Sequence, residues 1–260
     1  MSLIMEYIKI KIKDYFSYRF TLFLFLVMDI FWIFFSVFPF LIIYSATNGF
    51  PNWSIYELFF FTITGFFTAS LIYTFAITPG FDIPEKVKDG TFDLILLKPV
   101  NIFYHIFVQS LNFKNFFPDF FLYLIILIIL YPIIGITFSW ISLLYFLLII
   151  LISCLIFLGI SGIFIAVSCF IPHLDEVVEL FFSFRDMNSK PIDIYKNKII
   201  ITLLTFIFPF ALWNYYPASI LMGKIDTQVL PSLVITAAAF LAIGFFSVKH
   251  GLKHYKSAGG

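Results

Sequence analysis

The amino-acid sequence predicts an all-α membrane protein with six transmembrane helices and both termini in the cytoplasm. Three observations carry that prediction. Hydrophobic residues make up 62% of the 260, charged residues only 12%, and the mean hydropathy is +1.03. An ordinary soluble domain is about 45–50% apolar and about 25% charged, so this chain has more apolar surface than a soluble fold can hide. The apolar residues also fall in runs long enough to cross a bilayer, which takes about 20 residues at about 1.5 Å each. Finally, the cations are segregated along the chain in a way that only an even number of crossings explains.

The runs lie at about 20–44, 58–78, 116–135, 141–171, 199–213 and 230–248. The fourth is long enough to tilt or to project past the membrane. The fifth is short and is interrupted by Pro209. With the N-terminus placed inside, 15 of the 16 lysines and arginines fall in cytoplasmic segments and only Lys224 falls outside. This is the inside-positive bias that sets membrane orientation. Tyr44, Trp53, Tyr56, Tyr131, Trp140, Trp213 and Tyr216 fall at the expected outer boundary, where an aromatic belt is predicted. No segment outside the spans exceeds about 40 residues on these limits, so the whole chain reads as a single transmembrane domain.

Within the spans, Asp29 is the clear ionisable residue. A carboxylate in a membrane is costly and marks a possible polar site; the competing reading is a helix–helix hydrogen bond or a position wetted from the inner face. Asp119, at the start of the third span, is expected to be interfacial. Cys154 and Cys169 lie 15 residues apart without partner ligands, which argues against a disulfide framework or a metal site. His250 and His254 follow the last span among lysines and read as a basic membrane-flanking tail. A net charge of +1 gives no nucleic-acid signature.

Three polar segments have structure of their own. Residues 1–19, where Ile alternates with Lys around Lys9, Lys11 and Lys13, are expected to form an amphipathic helix lying on the inner leaflet, although the alternation also fits a strand. In 80–104, Pro84 and Glu85 suit a helix start and Gly90 a helix end. A short helix is therefore predicted at about 84–89, followed by apolar Leu94, Leu96, Leu97 and Val100 lying against the membrane. In 172–198, Leu174, Val177, Val178, Phe181 and Phe182 share one helical face, predicting an amphipathic extension of the fourth span. Ser161, Gly162 and Ala166 offer a small-residue patch for close helix packing.

Catalytic signatures are absent: the sequence holds no G-x-x-x-x-G-K-[ST], no H-E-x-x-H and no G-x-S-x-G. The chain is therefore expected to be neither an ATPase nor another enzyme.

Three places in the sequence resemble the permease subunits of ABC-2 type transporters, in the six-span branch with short loops. Residues 90–100 read GTFDLILLKPV and resemble the family pattern G-x-[FL]-D-x-x-L-L-[KR]-P-[VL], with Gly90, Phe92, Asp93, Leu97, Lys98 and Pro99 at its fixed positions. Ser189, Lys190, Pro191, Ile192, Asp193, Ile194 and Tyr195 precede the fifth span. Ile207, Phe208, Pro209 and Phe210, and then Tyr215, Tyr216, Pro217 and Ala218, follow near its end.

The resemblance implies two permease halves, identical or different, around one pathway, each engaging an ABC ATPase subunit in trans. Pro84, Glu85, Lys86, Val87, Lys88, Asp89 and Gly90 would then form the coupling helix in a groove of the ATPase, and the N-terminal segment the connecting helix. Residues 214–229 would match the short re-entrant helices before the last span. No cofactor would be bound directly, ATP being used by the partner. The implied setting is a prokaryotic plasma membrane, and the implied activity is export of an amphipathic or hydrophobic substrate. Two other readings compete: a self-contained secondary carrier using Asp29, and an intramembrane enzyme or non-transport scaffold.

Overall fold

A computed structural model describes residues 9, 13, 19–47, 50, 52–111, 113, 116–171, 174–185, 190–195, 197–225 and 227–256. The expected amphipathic segment 1–19 lies outside these apart from Lys9, Lys13 and the start of the first span. Among the described residues all regular structure is helical, with one isolated bridge between Phe50 and Trp53. Helix α1 is Arg19–Thr47 and α2 is Ile55–Ile72; a π turn, Tyr73–Ile77, leads into α3, Thr78–Lys88. Then come α4 (Phe92–Leu96), α5 (Ile102–Ser110), α6 (Phe116–Ile133), α7 (Trp140–Ser168) and α8 (Asp175–Ser183). Helix α9 is Lys198–Thr202, α10 is Tyr215–Leu221 and α11 is Leu230–His254.

Five helices are long and apolar enough to cross a membrane, and a sixth crossing follows if one bent pair counts as a span. That pair is Lys198–Ile207 with Pro209–Leu221, bent by 71°, so the fifth span does not run straight to Trp213. The bend has a covalent cause. A π turn at Leu203–Ile207 loosens the helix, and Pro209, which has no N–H to continue the ladder, starts the chain in a new direction. Thr205 and Tyr216 face each other across the bend, with their hydroxyls 3.3 Å apart.

The second span differs from expectation in the opposite way. It is continuous from Ile55 to Lys88, so Pro84 lies inside α3 instead of starting a separate helix over 84–89. The chain passes Pro79 by means of the π turn just before it, where both the N–H and the hydroxyl of Thr78 bond to the Tyr73 carbonyl. Such a turn absorbs the missing donor without ending the helix. The fourth span ends at Ser168 and α8 is a separate helix, not an extension of it. Of the predicted apolar face, Leu174 and Val178 are buried while Val177 is exposed.

The chain packs as two compact units. Unit 1 comprises Met1–Leu71, Phe113–Ile150 and Asn188–Thr227. Its core includes Phe40, Trp53, Leu58, Phe61 and Ala218. Trp53, at 3% exposure, and Trp213 and Tyr216 are buried. They therefore pack inside the protein, whereas Tyr56 and Trp140 of the same predicted belt are exposed.

Unit 2 comprises Ile72–Asn112, Leu151–Met187 and Gln228–Gly260. A seam of small residues joins α7 to α11. A methyl group added at Gly162 would lie 3.0 Å from the Gly244 backbone, and one at Gly251 would lie 2.9 Å from Ala166. Gly159 also meets the Phe240 backbone. Close approach of backbones through small residues is a main source of helix association in lipid, and the patch predicted around Gly162 and Ala166 is used this way. Ser161 of the same patch donates its hydroxyl to the Ala76 carbonyl at 2.6 Å. That carbonyl belongs to the π turn, and a neighbouring serine is the kind of group that satisfies backbone freed inside a membrane.

Candidate functional site

The candidate site is the segment that leaves the second span, all of it in unit 2. Ile83 and Val87, one helical turn apart on α3, are buried together with Pro84, while Glu85, Lys88 and Asp89 are exposed and Lys86 is half-buried. The helix closes at Asp89, whose N–H bonds the Glu85 carbonyl at 2.9 Å. Gly90 follows at φ +71°, the left-handed conformation in which glycine ends helices at least cost. Its N–H bonds the Val87 carbonyl at 3.3 Å.

The chain then re-enters the core. Phe92 is fully buried and stands edge-on to Tyr255 with ring centres 5.2 Å apart. Ile83, Val87, Phe92, Ile95, Ile106, Ile165 and Val248 form one apolar cluster. Asp93 lies beside the Tyr255 hydroxyl; burial first, and then this carboxylate, push the hydroxyl up to about 12. The other face of α4 points away: Leu94 is 63% exposed and Leu97 79%. Lys98, Pro99 and Val100 are exposed too, in a tight turn where the Val100 N–H bonds the Lys98 carbonyl at 2.8 Å.

Asn101 caps α5 by accepting from the N–H groups of Phe103 and Tyr104 at 3.0 and 3.3 Å. This helix was legible as an asparagine before an apolar run, a standard helix start. On it, His105 is held below the usual histidine range by partial burial and then by Lys98 and Lys86. The predicted residues thus divide into two sets. Val87, Phe92 and Asp93 anchor the segment, whereas Glu85, Lys88, Asp89, Leu97, Lys98 and Pro99 form its surface.

Asp29 belongs to unit 1. Its carboxyl meets the side chains of Asp119 and Tyr123 on α6, and its Oδ2 is sealed from solvent. The Asp29 Oδ2 has no hydrogen-bond partner among the described residues. Asp119, read from the sequence as interfacial, thus lies beside Asp29. The signal was present in the sequence, since Asp119 and Tyr123 are one turn apart and share a helix face. A second polar cluster in unit 1 was missed outright. Ser54 and Glu57 form a capping box, Ser54 N–H to Glu57 at 2.7 Å and Glu57 N–H to Ser54 Oγ at 3.3 Å. The S-x-x-E spacing before an apolar run announces it.

Against this geometry, a sequence model described as "ABC-2 family transporter protein" matches residues 30–259. The chain belongs to the ABC-2 transporter family. No curated protein and no solved structure matches it. Family membership, together with the apolar helices, makes the chain a multi-pass membrane protein of the permease type. Membrane subunits of the ABC-2 family generally work with ABC ATPase partners.

Proposed function

We propose that this chain is the membrane-spanning half of an ABC-2 exporter, driven by a separate ATPase that docks on residues 84–100. The observation that carries the reading is the division of that segment. Its buried side, Ile83, Val87, Phe92 and Ile95, is fixed into the core of unit 2. Its outer side offers charged Glu85, Lys88 and Asp89 and apolar Leu94 and Leu97. Large exposed apolar side chains suit protein docking or the membrane contact expected of Leu94 and Leu97; the charged residues beside them favour a protein partner. A displacement of α3 is passed into the core of unit 2 through its buried Ile83 and Val87. The chain itself binds no nucleotide; ATP is consumed by the partner, and two permease halves enclose the pathway. The spans are apolar and rich in Phe and Ile, which favours an amphipathic or hydrophobic substrate; the family reading places the chain in the plasma membrane of a prokaryote.

Co-purification from the native membrane in mild detergent, with partners identified by mass spectrometry, tests this. An ATPase subunit should accompany the chain and be lost on charge reversal at Glu85, Lys86 and Lys88. If the chain purifies alone under several gentle conditions, the reading fails. The contact of Asp29 with Asp119 and Tyr123 favours one rival, an ion-coupled carrier. In that case Asp29→Asn abolishes transport. In the ABC exporter the same variant keeps a hydrogen bond to Asp119, through its amide N–H, and transport persists.

A further inference from the structure

A cleft of about 580 Å³ lies between α7 and α11, lined in part by Ile163, Val167 and Phe170 on one side and by Lys249, His250 and Lys253 on the other. Both helices present residues spaced i, i+3, i+4 and i+7. On the α7 side these are Ile163, Ala166, Val167 and Phe170, all apolar. On α11 they are Phe246, Lys249, His250 and Lys253, so the cleft is mostly apolar at one end, where Ser247 is its polar side chain, and cationic along one wall at the other. Seven residues of helix rise about 10 Å, enough for a phosphate headgroup and the first methylenes of its chains.

The cationic end is available to a ligand. Lys249 and Lys253 are exposed and make no ion pair or hydrogen bond among the described residues. The last carbonyls of α7 do not engage them either. Those of Ile165, Ala166 and Val167 accept from Ser168, Cys169, Phe170 and Ile171. Phe170 lies over the rings of His250 and His254, at 6.1 and 5.7 Å between centres, which holds His250 at the mouth. Favourable interaction with a helix end explains cations in the last turn of α11. It does not explain a cleft with an apolar wall beside them.

We propose that this cleft binds an anionic phospholipid of the inner leaflet. Its phosphate lies on Lys249, His250 and Lys253, and its chains run against Ile163, Val167 and Phe246. Basic pockets between spans on the cytoplasmic side suit anionic headgroups, and the lysine-rich ends of the spans place this one there. The site is separate from the ATPase-docking segment and holds whatever the substrate is.

The full-length protein, purified with its accompanying subunits, should be titrated with dioleoyl phosphatidylglycerol and with dioleoyl phosphatidylcholine, and retained lipid counted by native mass spectrometry. Phosphatidylglycerol should be retained selectively. At about 1 kcal/mol per lysine, Lys249→Gln with Lys253→Gln should weaken it about 30-fold. The control pair, Lys190→Gln with Lys198→Gln, removes the same charge from other exposed positions and should change retention little. Equal weakening in both pairs would mean general surface attraction and overturn the proposal. So would equal retention of phosphatidylcholine. Glycerol 1-phosphate competing as well as the lipid would reduce the site to a free-anion patch, and would overturn it too.

Discussion

The Nζ of Lys224 lies 2.8 Å from a carboxylate oxygen of Glu57. The same ammonium donates to the Asn52 carbonyl at 2.7 Å and stands 4.0 Å from the centre of the Trp53 ring. Lys224 is also the one lysine or arginine assigned to the outside by the orientation argument. In the structure it fastens the turn before α2.

Removing this fastening should loosen the turn. Glu57 already accepts from Ser54 in the capping box, so Lys224 holds a group that is itself fixed, and little side-chain entropy is lost. Lys224→Gln should lower thermal stability in detergent by about 1–2 kcal/mol, combining a partly buried pair with a cation–π contact. A double-mutant cycle with Glu57→Gln should give a coupling of roughly 1 kcal/mol that shrinks at high salt. A coupling indistinguishable from zero would leave the ion pair without energetic consequence.

The seam between α7 and α11 predicts a contrast among glycines. Gly162→Leu must push against the Gly244 backbone, 3.0 Å from its first carbon. Overpacking of this sort costs about 1–3 kcal/mol. Gly223→Ala has open space around it, but its φ of +67° penalises any side chain, by about 1–2 kcal/mol. The two are separable in one experiment. Gly223→Asn should recover most of the loss at the turn, because asparagine tolerates the left-handed region. Gly162→Asn should recover nothing. Unfolding midpoints in a single detergent would decide it.

What was legible in the sequence follows from which forces act locally. Hydropathy located the long apolar helices, because lipid rewards any continuous apolar run and tertiary detail hardly enters. Proline was misread for the same reason in reverse. Pro84 and Pro209 look alike as helix punctuation, yet α3 runs through Pro84 and the fifth span breaks at Pro209. A π turn precedes both Pro79, which the helix passes, and Pro209, where it breaks, and neither turn has a sequence signature. The burial of Trp53, Trp213 and Tyr216 was not legible because an amphipathic ring is equally content in a protein core with a partner for its polar edge. Asp119 was visible only as one half of a pair whose other half, Asp29, is 90 residues away in sequence.

The electrostatics of the candidate site predict a pH response. His105 is held below its ordinary range, by partial burial and then by Lys98 and Lys86. The folded state therefore binds fewer protons at this ring than the unfolded state does, and stability rises with pH. The contribution is fully present above the unfolded value, about 6.5, and is lost as pH falls below it. His105→Gln, which cannot titrate, should be destabilised less than wild type between pH 7.5 and pH 5.5. Lys98→Gln should weaken the dependence by removing one of the repelling charges. Thermal midpoints across that range check both, and identical slopes for all three proteins would rule out His105 as the source.

The family motif at 90–100 should separate into a folding half and a docking half. Phe92 is fully buried in the unit 2 cluster, so Phe92→Ala should cost about 3–5 kcal/mol and reduce the amount of protein in the membrane. Leu97 is the most exposed of the motif's apolar residues, and nothing within unit 2 requires it. Leu97→Asp should leave the thermal midpoint within about 0.5 kcal/mol of wild type yet abolish ATPase co-purification. Measured together, the two variants discriminate between kinds of importance that a motif alone conflates. If Leu97→Asp retains its ATPase while Phe92→Ala loses it only in proportion to lost protein, then the motif serves folding, and the docking surface has to be sought on the charged end of α3, at Glu85, Lys88 and Asp89.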